Sequence, residues 1–210
     1  MVAIVNYGVG NVQAFSNLLK ELGVQFIVAS RKQDLESADR IILPGVGAFD
    51  WAMNKLNNSG MREVLDDLVL TEGRPVLGVC VGMQMMANRS DEGSLCGLGW
   101  IDGEVKKISQ PNNSSEISLP HMGWNEVIAC REHPILGGEL APRFYFLHSY
   151  IMHPRNADYV VAKTEYFVEF TSVVARSNII GIQCHPEKSH GWGKRFIERF
   201  SKADLCCDQE

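Results

Sequence analysis

No apolar run in this 210-residue chain approaches the ~20 residues needed to cross a bilayer, and its opening MVAIVNYG lacks the charged and apolar regions of a secretory signal. A cytoplasmic setting is the expectation. Equally missing is any Lys/Arg-rich run, since 20 basic residues stand against 25 acidic ones and the net charge is -5. Phosphate backbones are bound by clustered cations, so no nucleic-acid partner is expected, and without a spanning run no membrane is expected either. The six cysteines (Cys80, Cys96, Cys130, Cys184, Cys206 and Cys207) never take C-x-x-C spacing. Neither a disulfide framework nor a metal site is expected from them, and no cofactor is implied. A dinucleotide fingerprint is also incomplete. Tyr7-Gly8-Val9-Gly10-Asn11 follows the first apolar run, but Gln13 stands where the third glycine belongs and no acidic residue closes the run ending at Val28-Ala29.

What is present is an alternation of short apolar runs with helical periodicity. VAIVN (2–6), QFIVA (25–29), RIIL (40–43) and PVLGVC (75–80) read as strands, with helices predicted over 12–22, 49–56 and 62–69. Strands that are apolar throughout belong to a parallel sheet covered on both faces. From about residue 100 the runs shorten to GEVKKI, WNEVIA, RFYFLH, YVVAKT, FTSVVAR and IIGIQC, which predicts antiparallel hairpins before a final helix over 193–202. The fold class expected is α/β, an open, mixed, mostly parallel sheet flanked by helices with an antiparallel portion in the C-terminal half. One domain over residues 1–210 is predicted, with a polar tail after about residue 203 and a turn-rich surface loop at 109–118.

One cysteine stands apart. Gly78-Val79-Cys80-Val81-Gly82 closes a buried strand and opens a helix, which is the cysteine counterpart of the G-x-S-x-G nucleophile elbow. Glycines let neighbouring backbone pass close to the turn, and amides at a helix start favour a thiolate. The Val81 amide can then donate to an oxyanion. A thiol nucleophile needs a base, and of the histidines at 121, 133, 148, 153, 185 and 190, His185 stands just after IIGIQC. Glu187, two residues on, can orient the imidazole, with Pro186 fixing the turn between them. The glycine-rich Pro44-Gly45-Val46-Gly47 follows RIIL and offers a second set of free amides at the carboxyl edge of the sheet.

Together GVCVGMQ, GIQCHPEKS and PGVGAF resemble the triad-type class I glutamine amidotransferases, a flavodoxin-like architecture. PHMGWNEV (120–127), FLHSY (146–150) and NYGVGN (6–11) narrow the resemblance to the glutaminase subunits of imidazole glycerol phosphate synthase, over almost the whole chain to about residue 202. The resemblance implies hydrolysis of L-glutamine through a Cys80 thioester, with His185 moving the proton and Glu187 orienting it. It implies an oxyanion hole from the amides of Val46 and Val81, and glutamine held by Gly47, Gln84, Glu92, Ser149 and Tyr150. It implies no cofactor and a heterodimer with a (β/α)8-barrel cyclase subunit, near His121, Trp124 and Lys188, which receives ammonia for histidine biosynthesis. Asn6, Val81 and Cys184 depart from the usual residues of these words, so a paralogous acceptor, such as a synthetase of surface-sugar biosynthesis, stays open beside the cyclase.

Overall fold

A computed structural model of the protein describes residues 1–109, 118–139 and 141–202. The chain runs β1 (Val2–Val5), α1 (Val12–Glu21), β2 (Phe26–Ala29), α2 (Lys32–Glu36), β3 (Arg40–Gly45), α3 (Phe49–Asn58), α4 (Arg62–Asp66), β4 (Val76–Cys80) and α5 (Val81–Met85). The second half adds β5 (Arg89–Ser90), β6 (Gly103–Lys107), β7 (His121–Glu126), β8 (Ile128–Ala129), β9 (Arg143–His148) and β10 (Tyr150–Pro154). It closes with β11 (Val160–Tyr166), β12 (Val168–Arg176), β13 (Ile179–Ile182) and α6 (His190–Lys202).

Among the described residues eight strands form the main sheet, in the order β2-β1-β3-β4-β13-β12-β11-β8. Its first five members are parallel, and β12, β11 and β8 continue it antiparallel, so the mixed α/β sheet expected from the sequence is present. β1 and β4 are buried at every position, as strands covered on both faces must be. The helices cover the sheet with apolar stripes at helical spacing: Phe49, Ala52, Met53 and Leu56 on α3, and Gly193, Phe196, Ile197 and Phe200 on α6. α1 begins where Asn11 accepts from the Ala14 amide at 3.2 Å, so the Y-G-V-G-N turn serves as an N-cap.

Four local expectations change. The strand predicted as WNEVIA starts three residues earlier, at His121, and breaks at Val127 before β8. Among the described residues β7 pairs only with β9, and it alternates more buried with more exposed residues, so no apolar run announces it. The helix predicted over 62–69 leaves α geometry after Asp66 and continues as a π-helical turn over Asp67–Thr71, which turns Leu68 and Val69 inward. β5 and β10, which flank β6 in a three-stranded sheet, are absent from the expected strands, because Arg89-Ser90 and the mixed YIMHP carry little strand signal. The final helix starts at His190, three residues before its predicted start. Most of the 109–118 loop, the residues after 202, and with them Cys206 and Cys207, lie outside the described residues.

Candidate active site

β13 decides the site. It comes about 100 residues after β4 in the chain yet lies beside it, with Gly181 opposite Gly78 and Ile182 opposite Val79. Both strands therefore end at the same sheet edge, and Cys80, the last residue of β4, and His185, three residues past β13, become neighbours.

At that edge Cys80 holds φ 54° and ψ −111°. A non-glycine residue in left-handed backbone costs about 1–3 kcal/mol and persists only where its surroundings enforce it. Close backbone packing supplies the enforcement. A Cβ on Gly82 would stand 2.0 Å from the Leu43 carbonyl oxygen, one on Gly45 would stand 2.3 Å from the Gly82 amide nitrogen, and one on Gly78 would stand 2.7 Å from the Gly82 carbonyl oxygen. The elbow is thus wedged between β3 and the first turn of α5. That helix has only five residues, so its dipole adds less than the sequence suggested, and the turn geometry carries the presentation of the thiol.

His185 is fixed from three sides. Its amide donates to the Tyr145 carbonyl at 2.8 Å, its carbonyl accepts from the Ser189 hydroxyl at 2.6 Å, and its Nδ1 lies 2.8 Å from Glu187 Oε1. Both side chains of that pair are at most 3% exposed. Burial disfavours the imidazolium, yet the hydrogen bonds to Cys80 and Glu187 and their negative charge outweigh it, and the His185 pKa is raised to about 10. With Nδ1 donating to Glu187, Nε2 is the nitrogen left to exchange a proton with Cys80. A cavity of about 350 Å³ opens over the pair, lined by Val46, Gly47, Cys80, Val81, Gln84, Glu92, Pro120, Leu147, His148, Ser149, Tyr150, His185 and Lys188.

The chain as a whole is similar to known proteins. The profile of the family "Glutamine amidotransferase class-I" matches residues 3–203. The imidazole glycerol phosphate synthase subunit HisH of Bdellovibrio bacteriovorus is 50% identical over 203 residues, covering 96% of this chain and 100% of that protein. The HisH subunit of Leptospira interrogans is 48% identical, covering 96% and 99%.

The chain belongs to the HisH family of class I glutamine amidotransferases.

Two solved structures share the fold at low identity: a glutamine amidotransferase with a TM-score of 0.74 at 16% identity, covering 96% of this chain and 99% of that one, and PurLQS from Thermotoga maritima with 0.70 at 17%, covering 95% and 96%.

Within the family's fold the residues singled out in the sequence separate into three groups. Gly47, Gln84, Glu92, Ser149 and Tyr150 all line the cavity, as do Val46 and Val81. Gly47 stands at φ 83°, a conformation that favours glycine, and Val46 beside it is more than one-third exposed. Glu92 is held from behind, because its Oε2 accepts from the Phe49 amide at 2.9 Å, leaving Oε1 for the cavity. Gln84 is 2% exposed and its amide nitrogen is already committed to the Tyr150 carbonyl at 3.0 Å and to Gln183 Oε1 at 3.2 Å. Lys188 lines the cavity too, with its Nζ 5.7 Å from the centre of the Tyr145 ring.

The residues expected near a partner differ from one another. Trp124 is exposed and stacks on His190 at 5.3 Å, beside Met122 and Leu147 on the outer face of the β7–β9 pair. His121 is not at the surface. It is 3% exposed, stacked between Phe146 and Tyr166, with Nδ1 3.1 Å from His148 Nε2. In a two-stranded sheet alternate residues face opposite ways, so Met122 and Trp124 point out where His121 points in. His148 in turn places Nδ1 3.0 Å from the Tyr150 carbonyl, and burial pushes its pKa down to about 3 and that of His121 down to about 4.

Three residues of the surroundings carried no assignment in the sequence. The Tyr7 hydroxyl donates to the Pro44 carbonyl at 2.6 Å, and burial together with the neighbouring Cys80 charge pushes its phenol up. A Cβ on Gly10 would meet the Pro44 side chain at 2.6 Å, so NYGVGN serves to brace the PGVG loop. His148 and Gln183 are the other two, and only the place of Gln183 within GIQCHPE hinted at proximity. Of the departures, Asn6 bonds to Ser30 away from the cavity, while Cys184 is fully buried, which pushes its thiol well up.

Among the described residues no helix is long and apolar enough to cross a membrane, and no three or more His, Cys, Asp or Glu side chains gather as metal ligands.

Proposed function

We propose that the chain is a glutaminase of histidine biosynthesis, acting as a single amidotransferase domain in the cytoplasm and handing its ammonia to a (β/α)8-barrel cyclase subunit. The observation that carries the chemistry is His185, paired with Glu187 at 2.8 Å and raised to about 10 by Glu187 and Cys80 together.

Cys80 passes its proton to His185 Nε2 and attacks Cδ of the glutamine side-chain amide. The carbonyl oxygen becomes an oxyanion, for which the Val81 amide and, with the PGVG loop suitably turned, the Val46 amide are the donors. The C–N bond breaks as His185 returns the proton to departing ammonia, leaving a glutamyl thioester on Cys80. Water then adds to the thioester with His185 as base, the C–S bond breaks, and glutamate leaves. Glu92 Oε1 suits the substrate ammonium, and the Ser149 hydroxyl suits its carboxylate.

The partner reading is supported by the names of the HisH relatives and by the exposed Met122, Trp124 and Leu147, which lie beside the cavity lining at Pro120, Leu147 and Lys188. A subunit seated on that face would cover the mouth and keep ammonia from water. The test is Cys80→Ala in the two-subunit complex. Turnover driven by glutamine should vanish while turnover with added ammonium persists; loss of both would overturn the mechanism. A paralogous acceptor would show instead as failure of the barrel cyclase to raise glutaminase activity.

A further inference from the structure

Gln183 has no part in the triad, yet it is fully buried between the nucleophile and the substrate-binding wall. Its Nε2 lies 3.8 Å from Cys80 Sγ, and its Oε1 accepts from Gln84 Nε2 at 3.2 Å. That second bond fixes the amide's orientation. With Oε1 taken by a donor, the NH2 end must face the sulfur. Gln84 is held in turn, because its Nε2 also donates to the Tyr150 carbonyl at 3.0 Å, where His148 Nδ1 lies equally near. The Gln183 backbone is anchored by its amide bond to the Ser172 carbonyl at 2.9 Å.

The sulfur has a second neighbour of opposite preference. As a thiol it donates to the Leu147 carbonyl at 3.8 Å, an acceptor that repels the same sulfur once it is negative. Ionisation therefore costs the sulfur its donated bond on one side and needs a donor on another. His185 must aim its Nε2 at the departing ammonia during acylation and at the attacking water during deacylation, so its donation to the sulfur is shared with those partners. Gln183 is a donor at every stage.

We infer that Gln183 is a further catalytic residue, whose oriented side-chain amide donates to the Cys80 sulfur whenever it carries negative charge, both before attack and when the thioester C–S bond breaks. It rests on the glutaminase reading and gives Gln84 a role beyond lining the substrate cavity: it holds the Gln183 amide the right way round. No co-reactant is needed. The thiol proton goes to His185 Nε2, and the Gln183 N–H stays on nitrogen throughout.

The titratable groups around the sulfur are Tyr7, Cys184 and His185 with Glu187 behind it, and across the cavity His148, Glu92 and Lys188. None is altered by Gln183→Met, which keeps the length of the side chain and removes its donor. The probe is iodoacetamide, with labelling of Cys80 followed by mass spectrometry on the purified full-length protein. The variant should label Cys80 ~10-fold more slowly near neutral pH, the size of one hydrogen bond to a charged group, and approach the wild-type rate as pH rises. Its kcat for glutamine should fall by a similar factor with KM unchanged.

Gln183→Glu, isosteric but with an anion facing the sulfur, should label more slowly still, and it carries the test if the Met variant does not fold. Wild-type labelling in both variants, or a slowing that persists at high pH as a distorted site would give, overturns the inference while leaving the glutaminase reading intact. Unreactive Cys80 in the wild type overturns both.

Discussion

Glu187→Gln keeps the shape of the triad carboxylate and removes its charge. The change is well isolated, since among the described residues Oε1 bonds only to His185 Nδ1 at 2.8 Å and Oε2 is buried with no partner. A bond to a buried carboxylate contributes roughly 1.5–3 kcal/mol against roughly 0.5–1.5 for a neutral one, so the direct loss is about 1.5 kcal/mol. That corresponds to a fall of about one unit in the His185 pKa from its value of about 10. The catalytic loss is larger, because in the thioester, where the Cys80 charge is gone, a glutamine amide can turn its NH2 toward Nδ1 and force the remaining proton onto Nε2, where it blocks acceptance from the attacking water.

A kcat reduced ~10²- to 10⁴-fold is expected, with KM for glutamine within a few-fold of wild type. A pH dependence of stability follows as well. A histidine whose pKa is raised on folding stabilises fully below its unfolded value near 6.5 and ceases to as pH rises through about 10. The difference in melting temperature between variant and wild type should therefore be largest below about pH 6.5 and close above about pH 10. Steady-state glutaminase assays with the partner present, and thermal melts across that range, provide the measurement. A variant with kcat within threefold of wild type, or a melting difference that grows with pH, would refute the assignment of Glu187.

Two further outcomes are expected. Gly82→Ala places a methyl 2.0 Å from the Leu43 carbonyl, backbone that cannot swing aside, and should destabilise the fold by ~1–3 kcal/mol; an unchanged denaturation midpoint would contradict the packing described for the elbow. Trp124→Ala removes an exposed ring of the β7–β9 face and should weaken binding of the barrel cyclase at least ~30-fold while leaving the melting temperature near wild type. Calorimetry of the two subunits decides it, and an unaltered Kd would move the interface elsewhere.

Where the sequence was legible, one local signal sufficed. β1, β3 and β4 are apolar at nearly every residue because both faces of the sheet are covered, whereas a solvated face would have placed a polar residue at every second position. Gly78 and Gly82 mark the elbow because no side chain fits at either position. It was illegible where a residue's state depends on a distant partner. His121 and Trp124 sit three apart in one polar-looking word, and only pairing with β9 sends one inside and the other out. The short α5 likewise follows from packing under β3 and β13, which no helix propensity reports.

The sequence by itself determined the parallel half of the sheet, the strained turn at Cys80 and the tight spacing of His185 and Glu187, since each depends on residues within a few positions of one another. Only the tertiary structure decided that Cys80 meets His185, because that requires β13 to insert beside β4 across a long stretch of chain. It alone decided that Tyr7 braces the PGVG loop and that Gln183 turns its amide toward the sulfur. A hydrogen bond needs two groups within about 3 Å, or nearer 4 Å with sulfur, and chain separation says nothing about such distances until the sheet order is fixed.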